Sequence, residues 1–395
     1  MVNASPFSMG QLEADAVSGV LASGQLWRGN GHTWGGPQTH LGSTAADRLE
    51  DAFAERLGLQ YVHAVNSGTS ANEAAIASLG LDPGDEVICP AASPIFIPLA
   101  ILAAGCIPVF ADVDPKTLLI DPDAIEATIS ENTRAVVAVH LWGMPAPMAR
   151  IMAVAERFRL AVVEDCAQAW GTLIGGRPVG TFGYASSFSL QQTKHITSGE
   201  GGIFVTRNPE AYARAVLYSN CGIPSFRFGV EISGEALSPV VRGHIRFGHN
   251  HRIGELQAAV AMAQLSRINE FIGRRAELAE LIKAKLLQTG DDSVGVPPAF
   301  PGCTTSYWRY PILVPSGYGT YKGISYFEPV FREMNDRRLT PFGLPIPQHV
   351  NYDMGSCPGA EQGASRIRSV SVHHGLTDQE LQDSLNECLS DLRHV

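Results

Sequence analysis

Along this chain the spacing of apolar positions switches repeatedly between two periods. Short apolar runs closed by turn residues are too short for helices and read as buried strands: Tyr61–Val65, Glu86–Cys89, Pro108–Val113, Ala135–Leu141, Leu160–Glu164, Phe188–Leu190 and Gly202–Thr206. Between them, residues 70–80, 94–104, 122–129 and 147–159 repeat apolar side chains at the spacing of one helix face. Ala45 to Leu57 does the same, with Leu49, Phe53 and Leu57 on one side. Such alternation predicts an α/β fold with a mostly parallel sheet of the seven-stranded type, covered by helices on both faces. After Arg252, the series Ile253, Leu256, Val260, Ala263, Ile268, Ile272, Leu278 and Ile282 predicts one continuous long helix of the kind that bridges domains. Beyond Gly290 a Pro-rich connection leads to a strand at 306–314, a helix at 326–337 and a last helix at 377–392. The predicted organisation is an N-terminal arm (1–40), a large domain (41–265), and a bridging helix with a small C-terminal α/β domain (266–395).

At 395 residues, 45% of them hydrophobic, the chain has enough apolar mass for about two domains. A net charge of −10 argues against a general nucleic-acid partner. Cys89, Cys106, Cys166, Cys221, Cys303, Cys357 and Cys388 lack paired metal spacing and are expected as reduced thiols. The first twenty residues show no basic start followed by an apolar core, and no run of eighteen apolar residues occurs. A cytoplasmic protein without a membrane segment is expected. Asn3-Ala4-Ser5 is a formal glycosylation triplet that means nothing without a signal peptide.

The candidate chemistry sits at strand ends. The run Leu160 to Glu164 delivers Asp165 at its carboxyl end, where ligands of parallel sheets bind. Lys194 lies between a β-rich run and the glycine turn ending at Gly202. Upstream, the strand ending at Val65 breaks at Ser67, Gly68, Thr69 and Ser70 and enters an Ala-rich helix, so N–H groups and the positive helix end face outward together as an anion site. Alone, an acid after a strand or a Ser N-cap has an ordinary structural reading. Together they match pyridoxal phosphate, which needs a lysine amine, a carboxylate beside its ring nitrogen and a phosphate anchor. No P-loop or Gly-x-Gly-x-x-Gly follows a strand, which excludes the nucleotide folds. His244, His249 and His251 cluster without a carboxylate or cysteine at ligand spacing, so no metal is expected. In the arm, Trp27 and Arg28 are costly to leave exposed; they mark either a plain surface or a substrate mouth.

Six segments carry a family resemblance: Asn-Ser-Gly-Thr-Ser-Ala, Pro-Gly-Asp-Glu-Val-Ile, Pro-Val-Phe-Ala-Asp-Val-Asp, Glu-Asp-Cys-Ala-Gln-Ala, Lys-His-Ile-Thr-Ser-Gly-Glu-Gly-Gly, and Gly248-His-Asn250-His-Arg252. In this order, over about residues 20 to 270, they resemble the DegT/StrS-type sugar aminotransferase family. The resemblance implies the aspartate-aminotransferase fold (fold type I), a homodimer, and pyridoxal 5'-phosphate held by Lys194 with Asp165 at the ring nitrogen. It implies that Ser67, Gly68, Thr69, Ser70 and Ser189 hold the phosphate, Gln168 the phenolic oxygen, and Asn250 the partner's cofactor phosphate. It places the region of Trp27 and Arg28 near the active site; His195 and Arg252 are further substrate candidates, and Leu344-Pro-Ile-Pro-Gln-His349, where the match to the family is weaker, is expected to line a domain cleft with His349 toward substrate. Where the family stacks an aromatic on the ring this chain has Pro94; Phe96, two residues on, either takes that role or packs as a core aromatic. The implied reaction moves an amino group from glutamate or glutamine to a nucleotide-linked keto sugar, a cyclitol or an aminobenzoate precursor, in aminosugar or antibiotic biosynthesis. Cofactor-dependent sugar dehydratases of the family carry His-His where this chain has Lys194-His195, which argues for transamination. A non-catalytic homologue is the other alternative, and the intact set Lys194, Asp165, Gln168, Ser189 and Asn250 argues against it.

Overall fold

The computed structural model describes residues 9–28, 43–230, 244–288, 293–390 and 392; the triplet at 3–5 and residues 29–40 of the arm lie outside the described residues. In chain order, α1 (Gln11–Ser23) and α2 (Ala45–Leu57) precede β1 (Tyr61–Val65) and α3 (Gly68–Ala77). Then come β2 (Glu86–Pro90), α4 (Phe96–Ala103), β3 (Ile107–Ala111), α5 (Pro122–Thr128), β4 (Thr133–Val139), α6 (Met148–Phe158) and β5 (Ala161–Asp165). A short pair, β6 (Leu173–Ile174) and β7 (Arg177–Pro178), leads to β8 (Ala185–Ser189), β9 (Gly202–Thr206), α7 (Pro209–Ser219), α8 (Glu255–Ser266) and α9 (Ile268–Gln288). The last elements are β10 (Cys303–Thr304), β11 (Arg309–Leu313), α10 (Pro329–Arg337), α11 (Pro358–Ala364), β12 (Ile367–Ser371) and α12 (Asp378–Leu389).

The contacts gather into two compact units, one of Phe7–Leu81 with Gly183–Ile268 and one chiefly of Asp82–Phe182 with Asn269–Val395. In the first unit β9 lies between β1 and β8 and is antiparallel to both. Helix α3 packs on β8 and β9, and α1 and α2 pack on α8. Helix α2 starts on a capping box of Thr44 and Asp47, which satisfies two orphan N–H groups at once. The expected arm is therefore a helix from Gln11 to Ser23 in the part that is described. Its Glu13 is buried and receives Gln264 Nε2 at 2.7 Å and Arg267 at 2.6 Å. That contact accompanies a second correction: the expected continuous helix is two helices, α8 and α9. The first closes at Arg267, whose N–H turns back to Gln264 O at 3.1 Å.

A buried ionic knot stands between α2 and β1. Arg28 donates to both oxygens of Glu50 and to Asp47 Oδ1 at 2.9 Å, while Arg227 reaches Glu50 Oε2 at 2.8 Å and Asp51. Glu50 Oε1 also accepts the N–H of Ala64 at 2.8 Å. The substrate-mouth reading of Arg28 is thereby corrected: its guanidinium is buried and engaged by two carboxylates. Trp27 beside it stays 43% exposed and bridges to Gly254.

In the second unit β3, β2, β4 and β5 are neighbours in that order, all parallel. Their runs are buried on both faces, as parallel strands between helices require. Strand β4 ends at Val139, earlier than expected, because Leu141–Gly143 turn sharply with Trp142 at φ 56° and Gly143 at φ 87°. The expected strand at 306–314 likewise begins only at Arg309, after Tyr307 at φ 45°. A separate core joins Leu278, Ile282 and Leu286 of α9 to Tyr310 and Ile312 of β11, Val370 of β12, and Leu381 and Leu385 of α12.

Glu50 sets a stability prediction. Desolvation by itself would raise its carboxyl pKa, but Arg28 and His63 outweigh it and hold the group far below the usual range; burial keeps His63 neutral by lowering its pKa. In both cases the unfolded chain binds more protons. Stability is therefore lost as pH falls, first below 6.5, where unfolded histidine charges, then through the carboxylate range near 4.5. Glu50→Gln, which removes the buried carboxylate facing the buried Arg28 and the part-buried Arg227, is expected to cost about 3 kcal/mol in urea denaturation at pH 7. An unchanged midpoint would show that the knot is not stabilising.

Candidate functional site

In the first unit the start of α3 forms an anion cradle. Ser67, in extended backbone, caps the helix by accepting Ser70 N at 3.0 Å, and Ser70 Oγ donates to Asn66 Oδ1 at 2.7 Å. The N–H groups of Gly68 and Thr69 have no partner among the described residues. Gly68 lies so close to the end of β8 that an added Cβ would stand 2.6 Å from Ser189 Cβ and 2.7 Å from its Oγ. The Ser189 hydroxyl is thereby set at the helix end, beside free N–H groups and the positive pole of the dipole. Gly202, the first residue of β9, is equally confined: a Cβ there would fall 2.1 Å from Ser67 O.

Lys194 follows Ser189 by one tight loop. Leu190 N donates to Gly201 O at 2.8 Å, Gln192 N to Gly199 O at 2.9 Å, and Lys194 N to Gln191 O at 2.9 Å. His195, Ile196 and Thr197 are buried beneath the loop while Lys194 is half-buried. His195, expected near substrate, is instead fully buried and offers no surface to a ligand from solvent.

The segment 249–252 runs between two others. His249 N donates to Tyr218 O at 2.6 Å, His251 N to Ser219 O at 2.8 Å, and Asn66 N to His251 O at 2.8 Å. Arg252 donates to Asn220 Oδ1 at 2.8 Å, and Asn250 is exposed. His249 and His251 are packing groups, and His244 is exposed. The rings of His249 and His251 stack 5.1 Å apart, with Tyr218 edge-on to both, and His244 binds Cys221 O. Burial, with His249 adjacent, pushes His251 down to about 4.

In the second unit Asp165 closes β5 and is buried; its Oδ1 accepts Ala167 N at 2.8 Å. Gln168 is buried with its orientation set, because Oε1 accepts Trp142 N at 2.7 Å and leaves Nε2 as the donating end. Next to them His140, Glu164 and Cys166 stand close enough to suggest a metal. His140 cannot supply a lone pair: Nδ1 accepts Ala146 N at 3.0 Å, so the proton sits on Nε2, facing Glu164 Oε2 at 3.1 Å. Glu164 also accepts Gly180 N and Phe182 N. Burial, then the charges of Glu164 and Asp165, hold the Cys166 thiol well above its ordinary pKa, as suits a packed, unreactive side chain.

Two expectations change here. Phe96 is 54% exposed at the start of α4, so it is not a core aromatic. His349 binds Glu86 Oε1 at 2.7 Å, at the amino end of β2. Glu86 is level with Thr133 and Asp165 with Val139, so His349 is removed from Asp165 by the length of β4, about 20 Å. It lies at the wrong end of the strands for substrate. Sequence reasoning missed the Trp142–Gly143 turn; its signal was a glycine directly after a strand-length apolar run.

Taken unit by unit, the donor and acceptor types are those pyridoxal phosphate requires: in the first, the N–H groups of Gly68 and Thr69 with the Ser189 hydroxyl suit a phosphate; in the second, Gln168 has an N–H donor to offer and Asp165 is a buried acceptor.

Comparison with known proteins bears on the same region. The model of the DegT/DnrJ/EryC1/StrS aminotransferase family matches residues 35–388. The L-glutamine:2-deoxy-scyllo-inosose aminotransferase of Streptomyces kanamyceticus is 37% identical over 277 residues, 70% of this chain and 62% of that relative's length. The GDP-perosamine synthase of Escherichia coli O157:H7 is 35% identical over 269 residues, 67% of this chain and 68% of the relative. A solved aminotransferase from Psychrobacter cryohalolentis superposes with a TM-score of 0.79 at 28% identity, covering 98% of both chains.

Gly68→Ala is expected to keep the fold and weaken pyridoxal phosphate binding by at least about tenfold, roughly 1.4 kcal/mol, because the new methyl displaces Ser189. Titration followed by tryptophan fluorescence reads it, and unchanged affinity would remove Ser189 from the cradle.

Proposed function

Because the chain belongs to the DegT/DnrJ/EryC1/StrS aminotransferase family, we propose that it moves an amino group from glutamate or glutamine to the keto group of a cyclitol or a nucleotide-linked sugar, with pyridoxal phosphate as cofactor. The observation that carries this reading is Lys194, presented by the loop that begins at Leu190, next to Ser189 of the anion cradle. A lysine there, rather than the histidine of the dehydratases, favours transamination. The acceptor class is supported by relatives that act on a cyclitol ketone and by others that make an amino sugar.

Bound pyridoxal phosphate supplies a carbon that takes up the amino group and a ring that draws off an electron pair. Lys194 Nζ holds the group and moves the proton at the donor's α-carbon, as base and then as acid. Asp165 would keep a proton on the ring nitrogen, a contact its burial would strengthen. Gln168, whose Nε2 is left as its donating end, would hold the phenolic oxygen, and the α3 cradle with Ser189 would hold the phosphate.

The proposal includes a homodimer. The exposed Asn250, on a segment anchored at Tyr218 and Ser219, is suited to reach the cofactor phosphate of a second chain. It also includes a cytoplasmic place in aminosugar or antibiotic biosynthesis; no helix of the described residues is long and apolar enough to cross a membrane. The division into arm, large domain and C-terminal domain from residue 266 is supported by the separate core of α9, β11, β12 and α12.

Purified protein assayed with glutamate and glutamine against keto cyclitols and keto sugar nucleotides is expected to aminate at least one acceptor. Lys194→Ala should lose both activity and the visible absorbance of the bound cofactor. Loss of water from the sugar, with no amine product, would overturn the reading in favour of dehydration.

A mixture of Lys194→Ala and Asn250→Asp chains, each inactive alone, should regain part of the activity, since one site of a mixed dimer has both residues intact. If subunit exchange is demonstrated and activity stays absent, Asn250 does not serve a partner.

A further inference from the structure

Arg275, in the first half of α9, is fully buried and has no ion-pair partner among the described residues. Its Nη1 donates to three backbone carbonyls: Tyr307 O at 3.1 Å, Trp308 O at 3.4 Å, and Val372 O. Nε and Nη2 meet no hydrogen-bond partner. Burial pushes its pKa down to about 9, which still leaves a cation at neutral pH. A buried cation balanced only by carbonyl dipoles is costly, and a hydrophobic side chain of the same volume would pack there without that cost. The carbonyls it gathers explain the charge.

Those carbonyls belong to a segment that grips the Trp142 turn. Trp308 N donates to Trp142 O at 2.9 Å, and Trp142 N donates to Gln168 Oε1 at 2.7 Å. Beside this line the fully buried Thr172 donates its hydroxyl to Gly143 O at 2.6 Å, stands 2.9 Å from Ser306 Oγ, and accepts Ser306 N at 3.3 Å. The fit is close: a Cβ on Gly143 would lie 2.7 Å from Tyr307 N. Trp142 (φ 56°) and Tyr307 (φ 45°) are both left-handed without being glycine. Each such residue costs on the order of 1 kcal/mol or more and persists only where its surroundings hold it. Without the Trp142 N–H, the amide of Gln168 is free to turn over and present its oxygen where its nitrogen now stands.

We propose that Arg275 and Thr172 are positioning residues for Gln168: they clamp Ser306–Trp308 onto Trp142–Gly143 and thereby hold the strained Trp142 N–H that fixes which end of the Gln168 amide donates. The proposal rests on the reading that Gln168 faces the cofactor. It gives the C-terminal segment 306–308 a part in the cofactor's electronic setting without touching the cofactor.

Two measurements test it. In cofactor-free protein, hydrogen exchange of the peptide spanning His140–Met144 is expected to speed up at least tenfold at Trp142 in Arg275→Met and in Thr172→Val, with Val136 and Val137 of β4 unchanged. In loaded protein, the pH midpoint of the cofactor's visible absorbance is expected to move in both variants in the same direction as in Gln168→Leu. A purely structural role would leave that midpoint in place. Should Arg275→Met fail to fold, Thr172→Val, which keeps the shape and loses only the hydroxyl, decides by the same readouts. Wild-type exchange at Trp142, or an unmoved midpoint where Gln168→Leu moves it, overturns the proposal alone. An unmoved midpoint in Gln168→Leu overturns the placement of Gln168 as well.

Discussion

The start of α3 can lie against the ends of β8 and β9 because Gly68 and Gly202 have no side chains. A methyl group at either position would strike Ser189 or the Ser67 carbonyl. From that approach follow the Ser189 hydroxyl beside unpartnered helix N–H groups and the start of the Lys194 loop at Leu190. The anion cradle and the loop that carries Lys194 thus start from one close backbone approach between rigid elements. Rigid placement of this kind is what electrostatic catalysis needs, since no reorganisation is then required as charge develops.

In the second unit the same end is reached by backbone hydrogen bonds to the polar side chains at the strand tips. His140, Glu164 and Gln168 each have defined backbone partners, so their donor and acceptor ends are set by the fold. The buried cysteine among them is a packing group with a raised pKa. The tight Trp142–Gly143 turn, with its left-handed backbone, is the junction on which this arrangement depends.

Charge is handled differently away from these tips. Arg28, Asp47, Glu50 and Arg227 form a closed knot that fastens α2 to the residues on either side of it, while Arg275 is balanced by carbonyls alone. Membership of the aminotransferase family accounts for the residues that would handle the cofactor. Each ionic arrangement is explained by the local backbone it holds.

Much of this was legible in the sequence for a physical reason: strand runs, helix caps and glycine turns are local, and their signals lie within a few residues of one another. Strands β1, β2, β5 and β9, helices α2 and α12, Ser67 as an N-cap and Asp165 at a strand tip all belong to this class. Lys194 stood out by its place between a β-rich run and a glycine turn; the resemblance added Gln168, Ser189 and Asn250, whose roles no single spacing reveals. Tertiary structure decided what depends on distant partners. Arg28 looked like a mouth residue until Glu50, 22 positions away, engaged it. Glu13 bound the arginine at which one apparent helix divides into two. His349 was drawn to Glu86 at the far ends of the strands, and the Trp142 turn took its shape from Trp308. In each case the deciding contact is between a charge or a backbone group and a partner remote in sequence, and apolar periodicity carries no information about it.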